Sequence, residues 1–206
     1  KMNLGTIARN SSLLLILLVA FVGQFGLGLL QATFALFGQA VLFKGYSLQM
    51  ATIGVGIMLT IVGIGQVITQ VAILPRALKK LDEAWLVVIG LVIRTIGLLG
   101  FAFFATPLVG AFASLCFAMG VGLMMPPLQS LSTNTVSDEL RGGVLGVYQS
   151  TISLSTIASS AIAGTIFLIN PTFPFLIGAL LSLVVVLPAL FLAKKTHAGR
   201  RYPKGK

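Results

Sequence analysis

Six times along the chain the sequence stays apolar for longer than the roughly 20 residues that a helix needs to cross a 30 Å hydrocarbon layer. The runs are 12–43, 51–74, 85–105, 108–131, 144–169 and 173–193. Lipid offers no water to a bare peptide group, and a single helix satisfies its own backbone there. The expected fold class is therefore an all-α membrane protein with six transmembrane helices. The first run is a turn or two longer than a crossing requires, so it is expected to tilt, or to break near Gly23, Gly26 and Gly28, where helix propensity is weakest.

Composition settles the surroundings. The chain is 57% hydrophobic and only 9% charged, whereas soluble domains carry about a quarter charged residues. Its net charge of +10 comes from 14 Lys and Arg against 4 Asp and Glu. In a soluble protein that excess would raise nucleic acid as a partner; here nearly all the charges lie between apolar runs, where they act as topology signals and contacts to anionic lipid. With both termini cytoplasmic, the inside segments hold Lys1, Arg9, Arg76, Lys79, Lys80, Arg141, Lys194, Lys195, Arg200, Arg201, Lys204 and Lys206. Outside there is Lys44, and Arg94 lies within a span. This positive-inside bias predicts a multi-pass protein of the cell's inner membrane, with a cytoplasmic lead-in at 1–11, a bundle at 12–193 and a basic cytoplasmic tail at 194–206. The first run is far longer than the apolar core of a signal peptide, and Lys1 in place of Met predicts a chain that begins within a longer protein.

Most membrane enzymology is excluded by what the spans lack. The one histidine, His197, falls in the basic tail, which leaves no Ser/His dyad and no zinc-binding HExxH helix. The four acids form two adjacent pairs in polar linkers, Asp82-Glu83 and Asp138-Glu139, and read as solvated loop charges. Cys116 has no second cysteine to pair with. No catalytic residue, metal site or cofactor is expected.

Three stretches resemble signatures of the major facilitator superfamily, whose members carry twelve helices in two six-helix halves. After the second span, residues 73–80 look like a worn copy of the loop motif GxLxDRxGRR: Arg76, Lys79 and Lys80 match its basic positions, while Pro75 replaces its Asp and Val71 and Leu78 its glycines. After the fourth span, Asp138, Arg141 and Gly142, followed by Gly146 and Ser150, resemble the RGxxxG junction that precedes the fifth helix of each half. Within the fifth span, Ser155, Ser159, Ser160, Ala163 and Gly164 are similar to the antiporter motif GxxxGPxxGG with other small residues substituted, although small-xxx-small spacing also serves ordinary close packing. Cys116 stands where the first half's fourth helix would carry arginine. The resemblance thus implies the C-terminal half of a twelve-helix, drug-exporter-like transporter, with a missing N-terminal six-helix half as its partner.

Polar residues within the spans are the candidate site. Gln24 and Gln31 lie seven apart on one helical face, with Gln39 two turns further on, and such groups can bond a substrate at mid-depth without the cost of a buried charge. An interhelical glutamine tether fits the same spacing. Phe25, Phe34 and Phe37 are placed to stack on a lipophilic substrate or to face lipid; Met119, Met124 and Met125, ahead of Pro126-Pro127, fit either core packing or the plastic wall of a cavity next to a helix kink. The cavity set is thus Gln24, Gln31, Phe34, Met119 and Met124. Gln66 and Gln70 in the second span, with Ser155, Ser159, Ser160 and Gly164 in the fifth, are expected to pack against the missing half. Arg94 falls about 13.5 Å from Trp85 along a helix, near the midplane. An arginine there costs at least about 2.5 kcal/mol, so it is expected to bond carbonyls of the first or fourth span, in preference to holding an anion.

The function these readings point to is secondary active efflux of small lipophilic molecules by alternating access, with proton antiport implied by the family. The alternative is a self-contained six-helix substrate-binding subunit of a multi-component transporter. That alternative gives no reason for a basic loop after the second span and an RGxxxG junction after the fourth.

Overall fold

The computed structural model describes residues 10–201, with side chains through residue 195. Lys1, Arg9, Lys204 and Lys206, and the side chains of His197, Arg200 and Arg201, lie outside the described residues. Among the described residues there is no strand, and six helices are long and apolar enough to cross a membrane. They are α1 (Ser11–Leu42), α2 (Leu48–Leu78), α3 (Glu83–Phe103), α4 (Pro107–Thr133), α5 (Asp138–Ile169) and α6 (Phe173–Lys195), the last continuing as helix to Arg201. The six predicted runs therefore each become one helix, with ends displaced by a few residues.

Polar residues at the run boundaries set where the helices start. Asn10 caps α1 by accepting from the Leu13 N–H at 3.1 Å, and its amide donates to the Thr135 carbonyl at 3.1 Å, which ties the start of α1 to the end of α4. Ser47 accepts from the Met50 N–H at 3.3 Å at the head of α2. Pro107 occupies the first turn of α4, where its missing N–H leaves nothing unbonded. Between α5 and α6, Asn170 Oδ1 accepts from both the N–H and the hydroxyl of Thr172 at 2.9 Å, closing a tight turn.

The break expected in α1 does not occur at its glycines. Helix runs unbroken from Ser11 to Phe37, because Gly23, Gly26 and Gly28 are sites of close approach: a Cβ at Gly28 would strike the Ser159 hydroxyl, and one at Gly26 the Arg94 guanidinium. The irregular backbone lies elsewhere, in wide π-helical turns at Gly38–Leu42 in α1 and Thr69–Ile73 in α2. The helix of α4 also passes without interruption through Pro126 and Pro127.

Neighbour packs on neighbour in the order α2, α4, α3, α6, α1, α5, and the row curls so that α1 also meets α4. Four helices, α1, α3, α4 and α6, thus enclose a core, while α2 leans mainly on α4 and α5 mainly on α1. Burial follows this arrangement. Of the most apolar stretch of each helix, 56% is buried in α1, α3 and α4, but only 22% in α2 and 17% in α5. The α3–α4 contact is the closest, since Gly90 and Gly97 of α3 bring the backbones together: a Cβ at Gly97 would lie 2.7 Å from the Ala113 carbonyl oxygen and the Phe117 nitrogen.

The enclosed core has two apolar parts stacked along the bundle. Near the end that carries Asn10, the first part gathers Ile16, Ala20, Val87, Leu91, Leu128 and Val185. The second is aromatic, with Phe34 edge-on to Phe101 at 5.3 Å and Phe175 at 4.3 Å from Phe37 and 5.5 Å from Phe101. Between the two lies a layer of glycines around Arg94.

Candidate functional site

Of the residues expected to line a substrate cavity, the structure separates those that are available from those that are not. Gln31 is exposed, and so are Ala35 and Gln39 one and two turns on, which gives α1 a narrow polar stripe over its second half. Met119 is half-buried. Phe34 and Met124 are fully buried in the enclosed core, one in the aromatic cluster and the other against Gly23 and Gly90, and neither presents a surface to a ligand. Phe37 is buried in the same aromatic cluster, while Phe25 is half-buried and stacks on Phe21 at 6.2 Å. Packing explains the difference: Phe34 and Phe37 share the α1 face that meets α3 and α6, which periodicity alone could not distinguish from the open face.

Gln24 lies on the tether side of the two readings left open for it. It is 8% exposed, and its amide donates to the Thr156 hydroxyl of α5 at 3.0 Å. One more polar link joins the same helices, the Ser155 hydroxyl donating to the Phe21 carbonyl at 2.6 Å, while Ser159, its hydroxyl bonded to the Thr156 carbonyl of its own helix at 3.0 Å, fits the space left by Gly28. Ser155, Ser159 and Ala163 are thus the buried stripe of α5 that seats it on α1. This corrects the assignment of Ser155 and Ser159 to the outward face. The residues left facing outward are Ser160 and Gly164, on the side where Gly142, Gly146 and Ser153 are also exposed. In α2, Gln66 and Gln70 are half-buried, and Gly56 and Gly63 are exposed. No atom comes within 4 Å of a Cβ built on Gly56, Gly63, Gly142, Gly146 or Gly164.

The charged loops gather at the end of the bundle that carries Asn10. Arg76 sits in the last turn of α2 and donates to the Ala72 carbonyl, while Lys79 and Lys80 are exposed beyond it. At the junction before α5, Asp138 opens a short 3-10 turn and pairs with Arg141 at 3.0 Å, both well exposed, and Gly142 follows. Sequence reasoning missed the role of Glu83: it opens α3, and its carboxylate accepts from the Ser130 hydroxyl of α4 at 2.7 Å, clasping the α3–α4 pair at this end. The only signal available was an acid in the first turn of a helix, which the helix dipole also explains.

Arg94 is the twelfth residue of the 21 in α3 and is fully buried. Its guanidinium reaches α1, with Nη1 beside Gly23 and Nη2 beside Gly26, while its backbone nitrogen and Cβ lie against Gly120 of α4. The Phe117 ring lies 5.5 Å beneath the guanidinium. The carbonyl bonds expected of it are not made: Nε, Nη1 and Nη2 all lack a hydrogen-bond partner among the described residues.

Residues 13–206 of the chain match a family model described as Major Facilitator Superfamily. The chain belongs to the major facilitator superfamily. It is a membrane protein of a transporter family rather than one of enzymes. It is also 28% identical over 117 residues to a transporter of the same type from Methanocaldococcus jannaschii, a match that takes in 55% of this chain and 28% of that protein's length. The chain therefore accounts for well under two thirds of that relative.

Proposed function

We infer that this chain is the C-terminal half of a secondary active transporter that exports small lipophilic molecules by alternating access, with both termini cytoplasmic. The observation that carries this reading is the unequal burial of the helices. The outward faces of α2 and α5 show small and polar residues, Gly56, Gly63, Ser153, Ser160 and Gly164, where a lipid-facing helix would be uniformly apolar. A second bundle laid across them would cover both helices and enclose exposed Gln31 of α1, 5 residues or about 7.5 Å along the helix from Gly26, near the depth at which transporters of this kind hold substrate. The family match favours this over a self-contained binding subunit.

Exposed Arg76, Lys79, Lys80 and the Asp138–Arg141 pair all lie at one end, where they can exchange partners with the other half as the cavity opens and closes. Past the first turn of any span there is no Asp, Glu or His in the sequence. An arginine does not give up its proton, so proton coupling is assigned to the N-terminal half.

Co-expression tests the assignment. Produced alone, the chain is expected to insert but not to transport, and an N-terminal half from the same gene is expected to co-purify and restore efflux. Transport by the purified six-helix chain as a monomer would overturn it. For orientation, single cysteines at Lys44 and Thr172 should react with an impermeant reagent from outside while one at Lys79 stays protected; the reverse pattern would invert the topology.

A further inference from the structure

Arg94 has the surroundings of a ligand-holding group rather than of a structural cross-link. It is the one charge within the described spans beyond their first and last turns, it is fully buried at the middle of α3, and none of its three guanidinium nitrogens is bonded. The nearest acid along its own helix is Glu83, 11 residues or about 16.5 Å away, and Glu83 is engaged with Ser130. The buried hydroxyls of Thr95 and Ser182 donate to carbonyls of their own helices, Leu91 at 2.8 Å and Gly178 at 2.7 Å. Phe117 offers the cation one aromatic face but accepts none of its in-plane N–H groups. A buried guanidinium needs a partner of opposite charge with acceptor atoms in its plane.

The walls around it are of two kinds. Gly26 presents bare backbone, and Gly178 backs it, its Cα 3.4 Å from where a Gly26 Cβ would lie. These walls cannot recede without moving a helix. On the Gly23 side the boundary is the end of a flexible side chain: a Cβ at Gly23 would stand 2.9 Å from the Met124 methyl and 3.5 Å from Arg94 Nη1, so thioether and guanidinium are neighbours there. Methionine rearranges at low cost. Withdrawal of that one side-chain end would free the volume of its methylthio group beside Nη1.

We propose that Arg94 anchors a binding site for a small anion, chloride or a carboxylate group, at the centre of the bundle between the two apolar cores, with the Met124 thioether as its displaceable plug. The site is independent of the outward face used in the proposed function, so the two readings stand or fall separately. A halide held there would be a structural ion; a carboxylate there would belong to a transported or regulating solute.

The test is thermal unfolding of the complete purified transporter at constant ionic strength in sodium gluconate, chloride, bromide or acetate. Gluconate is too large for the space and serves as the reference. Chloride, bromide and acetate are expected to raise the melting temperature with saturation, as binding to the folded state requires. Arg94→Met should abolish the dependence while melting no lower than the native protein in gluconate, because it removes an unpaired buried charge. Arg94→Lys should keep a weakened response. Met124→Ala should bind bromide several-fold more tightly, and bromide should give anomalous scattering beside Nη1. Acetate that competes with bromide and is carried across vesicles would mark the site as a solute site; acetate that does not compete would mark it as a halide site. Identical melting in all four salts, or a bromide response that survives Arg94→Met, would overturn the proposal. So would an anion-independent fall in stability of both Arg94 variants, which is the signature of a carbonyl tether. If Arg94→Met fails to fold, the Met124→Ala affinity and the bromide scattering still decide the matter.

Discussion

Glycine does opposite things in the enclosed four-helix core and on the outward faces of the flanking helices α2 and α5. In the core, Gly90, Gly97 and Gly120 lie where backbones nearly touch, and Gly23 and Gly26 make room for Met124 and Arg94. On the flanks, Gly56, Gly63, Gly146 and Gly164 look out on empty space. A glycine in a helix costs roughly 0.5–1 kcal/mol relative to alanine. In the core that cost is offset by contacts made within the chain; on the flanks nothing within the described residues offsets it, and the second bundle proposed above would. The contrast teaches that a small residue in a membrane helix records a close contact, and that the surrounding atoms tell whether the contact is internal.

The same substitution placed in the two regions should break the comparison if it is wrong. Gly97→Leu drives a side chain into the Ala113 carbonyl and the Phe117 backbone, neither of which can yield, and is expected to cost at least about 3 kcal/mol and most of the folded protein. Monodisperse yield and melting temperature in detergent measure it. Gly164→Leu meets nothing inside the chain: on its own the variant should have a stability within about 1 kcal/mol of the native chain, while, on the proposed function, recovery with an N-terminal bundle and transport fall sharply. Equal damage to both variants would remove the distinction between core and flank.

Smaller effects sharpen the boundary between α5 and the core. Gln24→Ala removes the bond to Thr156 and should cost about 0.6 kcal/mol, the average for a polar link between membrane helices. A double-mutant cycle with Thr156→Ala should return a coupling of that size, whereas a coupling near zero would show that packing alone holds α5. At the junction, Asp138→Asn breaks an exposed pair with Arg141 and should change stability by less than about 1 kcal/mol. Its effect on transport rate should exceed that if the pair exchanges partners during the cycle, and a rate equal to that of the native protein would confine the pair to a local cap.

What could be read from the sequence follows physical range. Helix number and approximate ends depend on runs of apolar residues and on caps such as Asn10 and Ser47, all local, and they are legible. That Arg94 must avoid lipid follows from its charge alone. Which face of a helix meets which neighbour depends on pairs far apart in the chain, such as Gln24 with Thr156 or Glu83 with Ser130, and periodicity in a nearly all-apolar helix carries little of it. For that reason Phe34 and Met124 read as cavity candidates and are core, and Ser155 and Ser159 read as outward-facing and are seated on α1. The one-residue difference between the buried Ser159–Ala163 register and the exposed Ser160–Gly164 register exists only once α1 is in place.

The wide turn at Thr69–Ile73 has a geometric consequence for the basic loop. The Leu74 N–H reaches back five residues to the Thr69 carbonyl, so the helix there holds one residue more than a regular ladder needs. Each residue of an α-helix advances the azimuth by about 100°. Everything beyond Ile73 is therefore clocked by that amount relative to the part of α2 that packs on α4. Arg76, whose own hydrogen bond runs back to the Ala72 carbonyl of the same helix, and the direction in which Lys79 and Lys80 leave that helix are aimed by this single surplus residue.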